Sequence, residues 1–74
     1  MTRLPQVKPR KLIRALEKAG FAQTGQIGSH VMLANELRDL QTSVPMHSGD
    51  VGRGLLKKIL KQAELSEDEF RKLL

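Results

Sequence analysis

Gly25-Gln26-Ile27-Gly28-Ser29-His30-Val31-Met32-Leu33 is the stretch on which the reading of the fold turns. It is short, marked by two glycines, and alternating toward its end. Read as strand, it sends neighbouring side chains to opposite faces of a sheet. Val31 and Leu33 then share one face, and His30 and Met32 the other. Two apolar side chains seat the ribbon on a core while an imidazole is presented on the far side. Gly25 and Gly28 mark positions where the chain bends, bulges or admits another backbone. This holds a proton-transfer group on a rigid element. A lone strand histidine is more often a surface or structural residue, so a catalytic role requires further titratable groups around it.

Outward from this stretch the chain divides cleanly. On its N-terminal side, Leu12, Ile13, Leu16 and Ala19 recur at helical spacing. Pro9 suits a first helical position, and Gly20 is a natural stop. The predicted helix is Pro9–Ala19, preceded by an extended arm over residues 1–8, its backbone restricted by Pro5 within it and by Pro9 after it. Phe21–Gln26 reads as a first strand, with Phe21 closing the helix end onto the core, and Ser29–Ala34 as the second. Asn35–Asp39 is a polar turn. Leu40–Met46 is a third strand, with Leu40, Thr42 and Val44 alternating against Gln41 and Ser43. Pro45 cannot donate to a ladder and belongs at an edge or a strand end.

Residues 47–52 form a loop. Leu55, Leu56, Ile59, Leu60 and Ala63 then restore helical spacing, with Lys57, Lys58 and Lys61 off the apolar stripe. Ser66 and Glu69 have the spacing of a capping box and open a short last helix, Glu67–Leu74, that buries Phe70, Leu73 and Leu74. Helix, three-stranded antiparallel sheet, helix and short helix make a single α+β domain over residues 1–74. Both main helices lie on one face of the sheet and the other face is open. His30 belongs to that open face.

Charge narrows the partners. Thirteen basic against eight acidic residues leave a formal +5 on 74 residues. Arg3, Lys8, Arg10, Lys11, Arg14 and Lys18 crowd the first twenty residues, against Glu17 alone. Such a distribution fits a polyanion, nucleic acid above all, although small soluble domains also carry such an excess as a solvated face. Lys8, Arg10 and Lys11 stand at a helix N-terminus, where the dipole disfavours cations by about 0.3–1 kcal/mol each. A bound phosphate resolves that conflict, and so does a carboxylate from elsewhere in the fold. The chain has no cysteine, and its histidines and carboxylates show no metal-ligand spacing, so no metal or other cofactor is expected. No apolar run reaches the ~20 residues of a membrane span, and the N-terminus lacks a leader's apolar segment, which predicts a cytoplasmic protein.

Several short stretches together resemble one family. Leu16-Glu17-Lys18-Ala19-Gly20-Phe21, Gly28-Ser29-His30, Val44-Pro45-Met46-His47-Ser48-Gly49 and Ile59-Leu60-Lys61-Gln62-Ala63 fall in the order and spacing of the HicA toxins, from about Pro9 to Phe70. That resemblance implies a fold similar to the double-stranded RNA-binding domain. It also implies a ribonuclease acting on messenger RNA as the toxin of a toxin–antitoxin pair, with a HicB-type antitoxin as partner and the histidine of Gly-Ser-His as catalytic residue. Here that residue is His30. The chain departs from the family at Leu33, where an aromatic is usual, at Gln26 and Ile27, where basic residues often precede the motif, and at Glu64, where a glycine often follows the second helix. A left-handed Glu64 bears about 1–2 kcal/mol of strain.

Cleavage of RNA needs no external nucleophile, because the 2′-hydroxyl is already present. An imidazole, whose unperturbed pKa is ~6.5, can serve as general base. Arg10, Lys11, Arg14, Lys57 and Lys58 are the expected RNA-binding cations, with Ser29 as a hydrogen-bonding neighbour. His47 is a secondary candidate if its loop folds back toward His30, and otherwise a turn residue beside Ser48-Gly49. Two other readings remain open: a non-catalytic module holding duplex RNA by shape and phosphate contacts, and an interaction subunit whose basic face serves an acidic protein. Phe21 and Phe70 read as core, which leaves no aromatic for base stacking.

Overall fold

A computed structural model describes residues 4–47 and 49–74. The first three residues of the predicted arm, and Ser48 of the predicted loop, lie outside the described residues. The elements run α1 (Pro9–Lys18), β1 (Ala22–Ile27), β2 (His30–Asn35), β3 (Leu40–Pro45), α2 (Arg53–Gln62) and α3 (Glu67–Leu73). The sheet is a meander, β1-β2-β3, antiparallel throughout. This is the α+β, double-stranded RNA-binding-domain-like order expected from the sequence. The strand bounds of β1 and β2 each sit one residue later than the sequence reading, β3 ends one residue earlier, and α1 ends at Lys18 with Ala19 as its cap.

Alternation in β2 decides the layering. Val31, Leu33 and Asn35 are buried, while His30 is exposed and Met32 and Ala34 are half-buried. Thr42 and Val44 of β3 share the buried face and meet the helices, with Thr42 Oγ1 donating to Gln62 Oε1 of α2 at 2.8 Å. Leu12 and Leu16 of α1, Leu56 and Ile59 of α2 and Phe70 of α3 complete the core. Both long helices therefore cover one face, and the molecule is a slab measuring 34 × 29 × 17 Å. The predicted arm is extended but packed: Leu4 and Val7 are buried, and Val7 pairs with Val51 through the Val51 N–H and the Val7 carbonyl at 2.8 Å. Leu74, predicted as core, is instead more than a third exposed, and Leu73 is half-buried. One turn of helix beyond Phe70 is too short to present both leucines to the core.

The two long helices end alike. At α1 the N–H of Phe21 reaches the carbonyl of Leu16, and that of Gly20 the carbonyl of Glu17. At α2 Leu65 reaches Leu60 and Glu64 reaches Lys61. Both are Schellman closures, which require a left-handed residue just past the cap. Gly20 supplies it at φ 105° and Glu64 at φ 54°. Gly20 is also crowded, since a side-chain carbon there would stand 3.1 Å from Asn35 Nδ2. At α3 the capping box forms as read: Ser66 Oγ accepts from the Glu69 N–H, and Glu69 Oε1 accepts from the Ser66 N–H, both at 3.0 Å. The Ser66 backbone N–H, and next its hydroxyl, hold the Glu69 carboxyl below its ordinary pKa.

Glu64 is linked to the β2–β3 turn through an ion pair with Arg38 at 3.0 Å, with both side chains more than half exposed. Such a pair contributes about 0–1 kcal/mol. Glu64→Gly removes that pair together with about 1–2 kcal/mol of left-handed strain, whereas Glu64→Ala removes the pair and keeps the strain. Thermal denaturation should therefore place Glu64→Gly above Glu64→Ala, the reverse of the ordinary order for glycine and alanine in a helical setting. Equal or inverted melting temperatures would mean that Glu64 bears no strain.

Candidate active site

The site is built at one end of the slab, and the β1–β2 hairpin makes it. Ile27 pairs with His30, so Gly28-Ser29 is a two-residue turn. Gly28 has φ 59°, and Ser29 is not among the residues with positive φ. This is the pattern of the II′ turn, which takes glycine at its first central position and matches strand twist. Gln26 Nε2 donates to the Gly28 carbonyl at 3.0 Å and closes the turn further. A register shift between Gln23 and Gly25 leaves Thr24 as the extra residue of a bulge. The chain thus leaves the turn directly into His30, exposed and opposite to buried Val31. An alanine at Gly28 meets no neighbouring atom but must adopt the same positive φ.

His30 also pairs with Pro45 at the end of β3, and the Met46 N–H continues the ladder to the Ser29 carbonyl. Gly28, Ser29, His30, Met46 and His47 are therefore collected at one pole. Both long helices start there. Val7 and Val51, which precede α1 and α2, pair with each other, and Lys8 bridges to Asp50 at 3.3 Å. Arg10 and Arg14 line a cleft with Gln26, Val31 and Met46, which carries the start of α1 to the same end of the sheet. Neither α1 nor α2 has a side-chain N-cap bond or an acidic residue in its first turn. Two positive helix ends thus open at this pole with no acidic side chain in either first turn.

The conflict between α1 and its N-terminal cations is resolved in part by a carboxylate. Asp50 pairs with Lys8, but among the described residues no carboxylate pairs with Arg10 or Lys11. Lys8, Arg10, Lys11, Arg14 and Lys18 line a groove between α1 and the end of α3, where Lys18 Nζ donates to the Leu73 carbonyl at 3.1 Å. Lys57 and Lys58 are exposed on the outer side of α2. Arg53, exposed at the first position of α2, joins the pole and was not singled out from the sequence. It stands two residues ahead of Leu55, where the apolar spacing that defined that helix begins.

His30 and these cations do not share a face. The open face presents Ala22, Ile27, Met32, Ala34, Gln41, Ser43 and Pro45 around His30, and none of these carries a charge. Ile27 is 70% exposed beside the histidine. Charge sits on the helical side and around the pole, and the imidazole on a neutral surface. Among the described residues neither imidazole makes a hydrogen bond or ion pair, and no group of three or more histidine, aspartate or glutamate side chains converges.

A compact slab with an imidazole at a hairpin exit and two uncapped helix ends beside it belongs to the small α+β proteins related in form to double-stranded RNA-binding domains. Residues 9–65 match the family model for the HicA toxin of bacterial toxin–antitoxin systems. The chain belongs to that HicA toxin family, and as a toxin of such a system it has an antitoxin as counterpart. No curated protein sequence matches the chain. Among the described residues no helix is long and apolar enough to cross a membrane.

Gly28→Ala tests the turn that delivers the histidine. The substitution should cost about 1–2 kcal/mol through the left-handed backbone, which for a domain of this size lowers the melting temperature by roughly 4–8 °C per kcal/mol. An unchanged melting temperature would show that the turn does not require positive φ at this position.

Proposed function

We propose that this toxin is a metal-independent endoribonuclease that cleaves messenger RNA, with His30 as general base. The observation that carries the reading is the position of His30: exposed, at the exit of a rigid two-residue turn, on the uncharged face of the sheet. The 2′-hydroxyl next to the scissile phosphate loses its proton to the imidazole as it attacks phosphorus. Assistance of this kind accelerates proton-coupled reactions by about 10²–10⁴. Backbone N–H groups at the helix ends suit the charge that builds on the phosphate, as helix N-termini suit anions generally. Arg10, Lys11 and Arg14, with Arg53 and with Lys57 and Lys58 farther along α2, attract the backbone on either side. Ser29 lies next to His30 at the turn, within reach of a neighbouring phosphate oxygen.

The route from charge to chemistry runs over the pole. A strand drawn to the helical side by α1 has to pass the ends of α1 and α2 before it meets His30 on the open face. An indiscriminate nuclease endangers its own cell, and the matching partner is a HicB-type antitoxin that covers His30. Because the open face is uncharged, such a partner meets it with apolar and hydrogen-bonding groups, and finds cations only at the rim. The protein acts where messenger RNA is, in the cytoplasm.

Purified protein incubated with mixed messenger RNA decides between cutting and holding. His30→Ala should lose cleavage by two orders of magnitude or more and retain its circular dichroism spectrum, because the side chain lies off the core. A cleaving His30→Ala variant would remove the general base. Binding of duplex RNA without any cleavage by the wild type would instead favour a non-catalytic module.

Salt dependence tests the cations. Removing one cation that neutralises a phosphate should reduce the slope of log affinity against log salt by about 0.7 on a single strand. Arg10→Ala/Lys11→Ala takes away two such cations, so it should flatten the slope by about 1.4 and weaken all sequences alike. An unchanged slope would assign α1 to some other partner.

A further inference from the structure

The reaction proposed for His30 is incomplete without a second proton transfer. When the 2′-oxygen bonds to phosphorus, the bond from phosphorus to the 5′-oxygen breaks, and that oxygen departs as a high-energy alkoxide unless it is protonated. Attack and departure occur on opposite sides of phosphorus, so the acid must stand across the phosphate from the base. Among the described residues the other imidazole is His47, two residues past the end of β3, where Pro45 pairs with His30.

The geometry rests on the register beyond β3. Val44 is buried on the helical face, and Pro45 pairs with His30 on the open face. Met46 returns to the helical side: it is half-buried against the core and lines the cleft with Val31, while its N–H reaches the Ser29 carbonyl. β3 ends at Pro45, and one further step of the same alternation past that end would set His47 on the face of His30. Diagonal pairs on a sheet hold their side chains about 7–8 Å apart. That span admits one phosphodiester between two rings. His47 is exposed, and a side-chain carbon at position 49 would stand 3.8 Å from its Nδ1, in ordinary contact. The ring thus lies beside Gly49.

We infer that His47 is the general acid of the cleavage, paired with His30 as base across the scissile phosphate. This rests on the proposed ribonuclease reading and deepens it. The protonated His47 imidazole gives its proton to the 5′-oxygen as the phosphorus–oxygen bond breaks, while neutral His30 accepts the 2′-hydroxyl proton. The products are a 2′,3′-cyclic phosphate and a 5′-hydroxyl, and the enzyme is left with the two protonation states exchanged. Bulk water restores them. The charged groups at the same pole are Arg10 from α1, Arg53 from α2 and the Lys8–Asp50 pair, and the strand residues of the open face carry none.

Leaving-group chemistry separates this role from a structural one. RNA carrying sulfur in place of the 5′-bridging oxygen at the cleavage site releases a thiolate, which needs no proton. On ordinary RNA, His47→Ala should be slowed by about 10²–10⁴, and His47→Gln, which keeps a hydrogen-bonding side chain, should be slowed equally. On the sulfur-containing RNA both variants should return to within a few-fold of wild type, while His30→Ala stays slow on both substrates. The wild-type pH–rate profile should be a bell, and His47→Ala should lose its alkaline limb. Wild-type rates for His47→Ala on ordinary RNA would overturn the assignment, as would a defect undiminished on the sulfur substrate. If His30→Ala is unimpaired, or the wild type cleaves neither substrate, the underlying ribonuclease reading fails, and this assignment fails with it.

Discussion

Everything at the pole depends on the register of the β1–β2 hairpin. A strand has a period of two, so a slip of one residue exchanges its faces. Here a slip would bury His30 and expose Val31 and Leu33, losing core and candidate base together. Two independent features prevent it. The Gly28-Ser29 turn closes on the Ile27–His30 pair, and burial of Val31 and Leu33 under the helices rewards only that pairing. The bulge at Thr24 absorbs the mismatch farther along β1, away from the turn. Folding energy and the presentation of the imidazole are thus set by the same constraint.

The second organising contact is the pairing of Val7 with Val51. It joins the segments that precede α1 and α2, so that two helices far apart in sequence begin side by side. Both starts lack a side-chain cap, and cations stand where acids would ordinarily be favoured. At α3, by contrast, a full capping box and three acids satisfy the helix start. The chain therefore uses good helix-start chemistry where it serves stability alone and omits it at the pole. Local rules broken at one place and kept elsewhere are the usual mark of a functional site.

Much of this was legible in the sequence. Alternation fixed the faces of β2 and β3, because Val31, Leu33, Thr42 and Val44 have to share a thin core. Gly20 and the helical spacing bounded α1, and the family resemblance, which often has a glycine after α2, raised a left-handed Glu64 as a condition that its φ of 54° meets. Burial of Leu4 and Val7 was not legible, since a short arm broken by Pro5 carries no periodicity and its partner, Val51, is over forty residues away. Nor was the role of Arg53, which precedes the apolar stripe of α2. The separation of charge from the histidine also escaped a linear reading. Counting cations gives a sum, while the sheet assigns them to a side.

That separation alters how the charge should be understood. A cation beside the imidazole would hold it in its neutral form and repel the proton that an acid must carry. On the open face no such neighbour stands among the strand residues. In the proposed ribonuclease the cations, one layer away, would act over the longer distances at which a polyanion is first drawn in, within the ~8–10 Å that salt screening allows. Attraction and proton transfer have opposite electrostatic needs. A sheet only one layer thick, covered by helices on one side alone, would meet both in the proposed ribonuclease by giving each its own face.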